Sequence, residues 1–174
     1  MITDAATTIF RAIAACALLA LASSSFAAEP IIGVASVIDG DTIEVHGQRI
    51  RLNGIDAPES RQLCLDAAGR RYRCGQTAAF ALDDFLAARR PVSCVQIDRD
   101  RYGRIVAECT AGGINVEDWL VREGHALDWP RYSKGAYADA EAEARAAKRG
   151  MWAGSFQRPW EWRKDHDAPM ISTE

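Results

Sequence analysis

Apolar and polar positions alternate with a period of two through Thr42-Ile-Glu-Val45 and again through Ile50-Arg-Leu-Asn-Gly-Ile55. Such alternation predicts strands that bury one face. Asp39-Gly40, after the apolar pair Val37-Ile38, predicts one hairpin turn, and His46-Gly-Gln-Arg49 predicts the next. Asp56-Ala-Pro-Glu59 ends the alternation, because Pro58 has no N–H to give a ladder. The stretch is therefore a three-stranded meander. With its second turn centred on Gly47-Gln48, Asp41 faces Gly54 and Asp56 faces Asp39. Facing residues have Cβ atoms about 4.5–5.5 Å apart. Asp41, Asp56 and Glu59 then converge at one end of the meander. Arg51 joins them only if its strand bends, and Gly54 is the residue that allows the bend.

Downstream, Ser60 to Cys74 has no sustained period and reads as a loop crowded by Arg70, Arg71 and Arg73. That loop is either a solvated basic surface or a means of steering phosphates. Gly75 to Arg90 predicts a helix with Ala79, Leu82, Phe85 and Leu86 on one stripe, stopped by Pro91. Val92 to Ile97 and Arg104 to Cys109 predict two strands around the turn Asp98-Arg-Asp-Arg-Tyr-Gly103. Asn115 caps a helix from Val116 to Glu123, closed by Gly124, with Trp119, Leu120 and Val116 as its core face. Leu127 to Tyr132 is an aromatic connection, and Gly135 to Arg149 is a helix rich in alanine and charge. The pattern gives five strands and three helices. A tail from Ser155 carries Trp160 and Trp162 and reads as a docked strap with a flexible end.

The 174 residues suit one domain with a full core. Residues 1–28 read as a secretory signal, since Arg11 precedes an apolar run from Ala12 to Ala22. Ser25-Phe-Ala27 offers small residues for cleavage after Ala27 or Ala28. The run falls short of the roughly 20 residues of a spanning helix, which speaks against a membrane anchor. The expected division is a signal at 1–28, a folded domain at 29–154 and a strap with a tail at 155–174. The net charge of −3 implies no basic platform, so any hold on nucleic acid must come from arginines local to a cleft.

Removing the signal leaves Cys64, Cys74, Cys94 and Cys109, an even set that points to disulfides in an exported chain. Zinc is the alternative, but no C-x2-C pair is present. Cys94 and Cys109 are equidistant from the turn centre Arg101-Tyr102 and so face each other across a ladder, within disulfide reach. Cys64 and Cys74 remain as the second pair.

Three carboxylates gathered at Asp41, Asp56 and Glu59 need a cation, and hard oxygen ligands suit Ca²⁺ or Mg²⁺. Any one of these acids alone is an ordinary solvated turn residue. The whole set is more specific: Asp39-Gly-Asp-Thr42, Arg51-x4-Asp56-Ala-Pro-Glu59 and Asp100-Arg-Tyr-Gly-Arg104. From about Ile32 to Trp152 the chain resembles the staphylococcal-nuclease-like (thermonuclease) family. The resemblance implies an α+β fold, a five-stranded OB-like β-barrel with three α-helices.

It also implies Ca²⁺ held by Asp41, Asp56 and the carbonyl of Ala57, with Asp39 behind them. Glu59 looks like the residue that orients or deprotonates the attacking water, and Arg51 and Arg104 like the pair that binds the phosphate. The implied substrates are DNA and RNA, cleaved with little sequence or sugar specificity to leave 3′-phosphates. The implied setting is outside the cytoplasm, periplasmic or extracellular. No protein partner is implied, and no stable membrane association once the signal is removed. Arg70, Arg71 and Tyr132 are candidate substrate contacts, with ordinary packing the alternative for Tyr132. The rival reading is a non-catalytic OB module that binds nucleic acid or protein, since fold alone does not make an enzyme.

Overall fold

The computed structural model describes residues 29–167. The predicted signal at 1–28 and the end of the tail lie outside the described residues. Two strands open the fold, β1 (Ile31–Gly33) and β2 (Ala35–Asp39). β3 (Thr42–Val45), β4 (Gln48–Leu52) and the two-residue β5 (Ile55–Asp56) complete the meander region. A small hairpin of β6 (Leu63–Leu65) and β7 (Arg71–Arg73) leads into α1 (Cys74–Ala87). β8 (Val92–Arg99), β9 (Ile105–Ala111) and β10 (Ile114–Asn115) follow, then α2 (Val116–Arg122) and β11 (Leu127–Asp128). Three helices close the described chain: α3 (Pro130–Ser133), α4 (Ala138–Ala146) and α5 (Pro159–Asp167).

The expected five-stranded barrel with three helices is not what forms. The main sheet has seven strands in the order β1-β8-β9-β4-β3-β2, with β10 added on β9. β4 and β9 run parallel while the other pairs are antiparallel, so the sheet is mixed. Its pairing path is open. The first apolar run is divided at Val34. β1 pairs with β8 and β2 with β3, so the two halves become opposite ends of the path. Short β5 and β11 pair apart from the main sheet, as do β6 and β7.

Five α-helices stand among the described residues instead of three. Pro130 starts one extra helix within the aromatic connection, and Pro159 starts the other within the strap. Proline suits a first helical turn because its missing N–H has no partner there anyway. Neither segment has an apolar period, which is why the sequence pattern alone did not mark them.

The hairpin between β3 and β4 turns on His46 and Gly47, both left-handed with φ of 52° and 74°. A two-residue turn of that kind matches the strand twist. It sits one residue earlier than expected, so Asp41 lies beside Leu52, whose N–H donates to its carbonyl at 2.9 Å. The shift moves each pairing by two positions and leaves every side chain on its expected face. Ile43, Val45, Ile50 and Leu52 therefore point inward, against Leu82, Phe85 and Leu86 of α1 and Leu120 of α2. Full burial of each such side chain contributes about 1.5–3 kcal/mol. In α1 it is Ala78 rather than Ala79 that is buried, and Trp119 is only half-buried, stacked on Phe85 with ring centroids 4.1 Å apart.

Two disulfides are present, Cys64–Cys74 and Cys94–Cys109, with Cα atoms 5.7 and 4.1 Å apart. Cys94 and Cys109 are directly paired across β8 and β9. Nearer the turn the register differs by one, with Arg99 opposite Ile105 and the Asp100 N–H donating to the Arg104 carbonyl. An irregularity between Gln96 and Asp98 absorbs the difference before it reaches the cysteines.

One acid lies in the core away from the meander. Glu117 is 0% exposed, and both its carboxyl oxygens accept the Cys109 N–H, at 3.1 and 3.2 Å. Burial pushes it from the ordinary 4.5 up to about 8. The folded chain then holds a proton that the unfolded chain releases, so this residue lowers stability progressively as pH rises from 4.5 to about 8. Glu117→Gln keeps an acceptor and removes the titration. In urea unfolding series the variant should gain on the wild type as pH rises through that window, by at most about 1.4 kcal/mol per pH unit. A difference that does not change with pH would show that Glu117 folds in its charged form.

Candidate active site

The site is built where the meander turns back on itself. Asp39 ends β2, and its Oδ1 accepts the Asp41 N–H at 3.1 Å, which fixes the turn into β3. Asp41 is buried and fully engaged. Its Oδ1 accepts from Arg51 at 2.7 Å and from the Thr42 hydroxyl at 3.2 Å, and its Oδ2 accepts the Ala57 N–H at 2.9 Å. Gly54, left-handed with φ 73°, bends the chain after β4. The Trp129 N–H donates to the Gly54 carbonyl at 2.9 Å, and β11 pairs with β5 to hold the bend. Asp56, 0% exposed, is thereby returned to Arg51, whose Nη2 meets its Oδ1 at 2.8 Å. One guanidinium thus clasps two buried carboxylates.

Glu59 follows Pro58 on a tight turn. Its carbonyl accepts the Gln62 N–H at 2.7 Å, and its own N–H donates to Gln62 Oε1 at 3.3 Å. The same carbonyl lies so close to Gly75 that a Cβ there would collide with it. A glycine at the start of α1 is therefore what lets Glu59 approach the helix. Its carboxylate is 37% exposed and meets a residue the sequence pattern did not identify, Arg163 of α5, at 2.8 Å. Arg163 also grips Asp56 with both Nη atoms, at 3.0 and 2.8 Å. A signal for it existed: Pro159 starts a helix, and Trp160 and Arg163 then fall on one face at a spacing of three. Trp160 stacks on Trp129 with centroids 5.9 Å apart, and the Arg163 guanidinium lies 5.4 Å from the same Trp129 ring.

The second expected phosphate ligand, Arg104, begins the approach to β9. The parallel register sets Arg51 beside Val106. Arg104, two residues earlier, projects from the same face of that pair as Arg51, displaced by about 6.6 Å along the strand. Asp100 holds it meanwhile, accepting from Nε at 2.6 Å, and the Tyr102 ring lies 5.6 Å from its guanidinium. The other candidates stand apart from the acids. Arg70 is 80% exposed and paired with Asp66 at 2.8 Å, and Arg71 is exposed opposite Leu65 on the β6–β7 hairpin. Tyr132 sits edge-on to Trp129, 4.6 Å between centroids.

Asp41, Asp56 and Glu59 thus share two guanidinium groups, Arg51 and Arg163, and Asp39 stands beside them as a fourth acid, its Oδ1 on the Asp41 N–H. That leaves an excess of two negative charges when all are ionised. Burial, reinforced by the charge of Asp41, pushes Asp39 up to about 6. Burial also pushes Asp56 up to about 6, against the two arginines that hold it down. Among the described residues no three His, Cys, Asp or Glu side chains are arranged to enclose a metal. What the site offers instead is a carboxylate pair, Asp41 and Asp56, bridged by Arg51 within a cluster whose acids outnumber its two arginines. Hard oxygen donors with that charge fit a dication whose remaining ligands are backbone oxygen and water.

Arg51 is the partner the buried acids cannot lose. Arg51→Met should destabilise the domain by about 3–5 kcal/mol in chelating buffer, because it strands charge in the interior. Urea unfolding measures this directly. Unchanged stability would mean that the acids are held by something other than Arg51.

The family model described as staphylococcal nuclease homologue matches residues 49–154, more than half of the chain. Succinoglycan biosynthesis protein ExoI of Rhizobium meliloti is 51% identical over 137 residues, covering 78% of this chain and 72% of that protein. An uncharacterized endonuclease of Escherichia coli is 36% identical over 137 residues, covering 75% of this chain and 82% of that protein. Probable staphylococcal-like nuclease CAN2 of Oryza sativa is 32% identical over 127 residues, 72% of this chain. The match spans 32% of the rice protein, about a third of its length. By the extent of the family match, and by a site that gathers two arginines and four acids around one turn, the chain belongs to the staphylococcal nuclease homologue family.

Proposed function

We propose that the chain is an exported, Ca²⁺-dependent phosphodiesterase that hydrolyses DNA and RNA with little sequence or sugar specificity and leaves 3′-phosphate ends. Family membership supports hydrolysis of nucleic acids in general. One observation carries the finer reading. Arg51 clasps the buried pair Asp41 and Asp56, at 2.7 and 2.8 Å, beside the half-exposed Glu59. A non-catalytic binding module has no use for two buried carboxylates bridged by one guanidinium next to a third on the surface.

In this reading Arg51 and Arg104 bind the phosphate, since planar guanidinium forks match its oxygens in pairs. Arg104 exchanges Asp100 for the substrate as it does so. Glu59 orients the attacking water and accepts its proton as the water oxygen bonds to phosphorus. The bond to the 5′ oxygen breaks, and that oxygen takes a proton from solvent, giving a 3′-phosphate and a 5′-hydroxyl. Asp41, Asp56 and the Ala57 carbonyl would hold Ca²⁺, with Asp39 bracing the turn behind them. The ion would supply charge neutralisation at the phosphoryl oxygens. Arg70, Arg71 and Tyr132 serve as outlying substrate contacts. Residues 29–154 form the nuclease domain, and the described part of the C-terminal segment, residues 155–167, a strap across it. Two disulfides favour an oxidising compartment, periplasmic or extracellular.

The test is the mature chain with single-stranded DNA and with RNA, in Ca²⁺ or in chelator. Cleavage should require Ca²⁺. Glu59→Gln and Arg104→Lys should each cut the rate by about 10²–10³, the usual cost of one positioned transition-state contact, without loss of fold by circular dichroism. Binding without cleavage would establish the non-catalytic module instead. Because the name of the Rhizobium relative refers to succinoglycan biosynthesis, an acidic polysaccharide belongs in the assay. Cleavage of that polymer with nucleic acid left intact would overturn the substrate class.

A further inference from the structure

The family match ends at residue 154, yet the described chain continues and reaches back into the site. We infer that Arg163 of α5 is a positioning residue for Glu59, so that the C-terminal segment is part of the active site. The inference rests on the nuclease reading above.

Glu59 is half-exposed, whereas Asp41 and Asp56 are packed into the interior. A half-exposed glutamate samples several rotamers unless something holds it, and a misplaced base is a poor one. Its carboxylate has one hydrogen-bond partner among the described residues, Arg163, which takes Oε1 at 2.8 Å. Oε2 accepts no hydrogen bond from the described residues, which is the arrangement a water-orienting carboxylate needs. One oxygen is fixed and the other is open.

Arg163 is itself fixed by two further partners. Its two Nη atoms take both oxygens of the buried Asp56, at 3.0 and 2.8 Å, and its guanidinium lies 5.4 Å from the Trp129 ring. Asp56 is in turn tied to Arg51. A continuous chain of ion pairs therefore registers Glu59 against the phosphate-binding arginine.

The same segment also holds the Glu59 backbone. Gln62 accepts the Glu59 N–H through Oε1 and donates through Nε2 to the Gln157 carbonyl at 2.6 Å. Ser155 pairs with Leu65, whose N–H donates to the Ser155 carbonyl at 2.8 Å, and Trp160 stacks on Trp129. Carboxylate and backbone of Glu59 are thus both referred to one strap. A plug that merely blocked the site would need only to cover the acids. It would gain nothing from reaching past Asp56 to a single oxygen of Glu59.

A double-mutant cycle tests this. The wild type, Arg163→Gln, Glu59→Gln and the double variant are assayed on single-stranded DNA at saturating Ca²⁺, with thermal unfolding as a check on fold. If Arg163 acts through Glu59, Arg163→Gln lowers kcat by about 10²-fold, the cost of a misplacement near 1 Å, with KM little changed. In the Glu59→Gln background it should cost almost nothing more. Arg163→Lys should recover little, since an ammonium cannot fork between two carboxylates. Added methylguanidinium should restore part of the rate to Arg163→Ala.

An equal loss in both backgrounds would overturn the inference, because it would show that Arg163 does not act through Glu59. Higher activity in Arg163→Gln would overturn it in favour of an inhibitory plug. An active wild type matched by Arg163→Gln would sink this inference alone. A wild type inactive on every nucleic acid would sink it together with the nuclease reading.

Discussion

Two carboxylates buried beside each other are the constraint around which this structure is arranged. An isolated buried charge costs several kcal/mol, and a neighbouring charge of the same sign adds to that. Asp41 and Asp56 escape that cost because Arg51 reaches both and Arg163 takes Asp56 from the other side. The Arg51 contact in turn requires β4 to present Arg51 outward, Gly54 to reverse the chain and β11 to pin the returning strand. The hydrophobic core meets the same requirement from the other side. Ile50 and Leu52 alternate with Arg51 and anchor the strand that displays it.

The disulfides act on the same frame. Cys94–Cys109 ties the two strands that carry Arg104 to the sheet, at directly paired positions. Cys64–Cys74 closes the hairpin between Glu59 and α1, and its sulfurs sit in a small apolar cluster with Leu127 and Met151. Trp160 packs against that cluster. The hairpin, the strap and the site thus share one buried anchor, and Glu59 is positioned from the side the sheet does not reach.

What could be read from the sequence was local. Asp39-Gly40, the alternation after it and the bend at Gly54 depend on residues close in sequence. The meander and its acids were therefore visible, with the second turn misplaced by one residue. The openness of the sheet was not visible. The run from Ile31 to Asp39 looks like one strand, and only pairing with β8 and β3, far apart in the chain, divides it. Arg163 was hidden for the same reason. It meets Glu59 across 104 residues of sequence, from a helix whose polar composition carries no apolar period. Glu117 was hidden differently, since one acid on an amphipathic helix looks solvated until its neighbours show that it lies on the inner face.

The paired state of the site arginines bears on how an acidic chain takes an anionic substrate. Arg51, Arg104 and Arg163 are each clasped by carboxylates. In the proposed reaction a phosphate reaching Arg104 would displace Asp100 and so gain less than it would from an unpaired cation. With a net charge of −3, the chain has little long-range attraction to offset that exchange. Weak ground-state binding of this kind does not oppose catalysis. A guanidinium shared with Asp100 gains most from a partner more charged than the ground-state phosphate, which is what forms as the water attacks. Under the proposed mechanism, arginines paired in the resting site would therefore discriminate toward the transition state, where binding raises the rate rather than merely the occupancy.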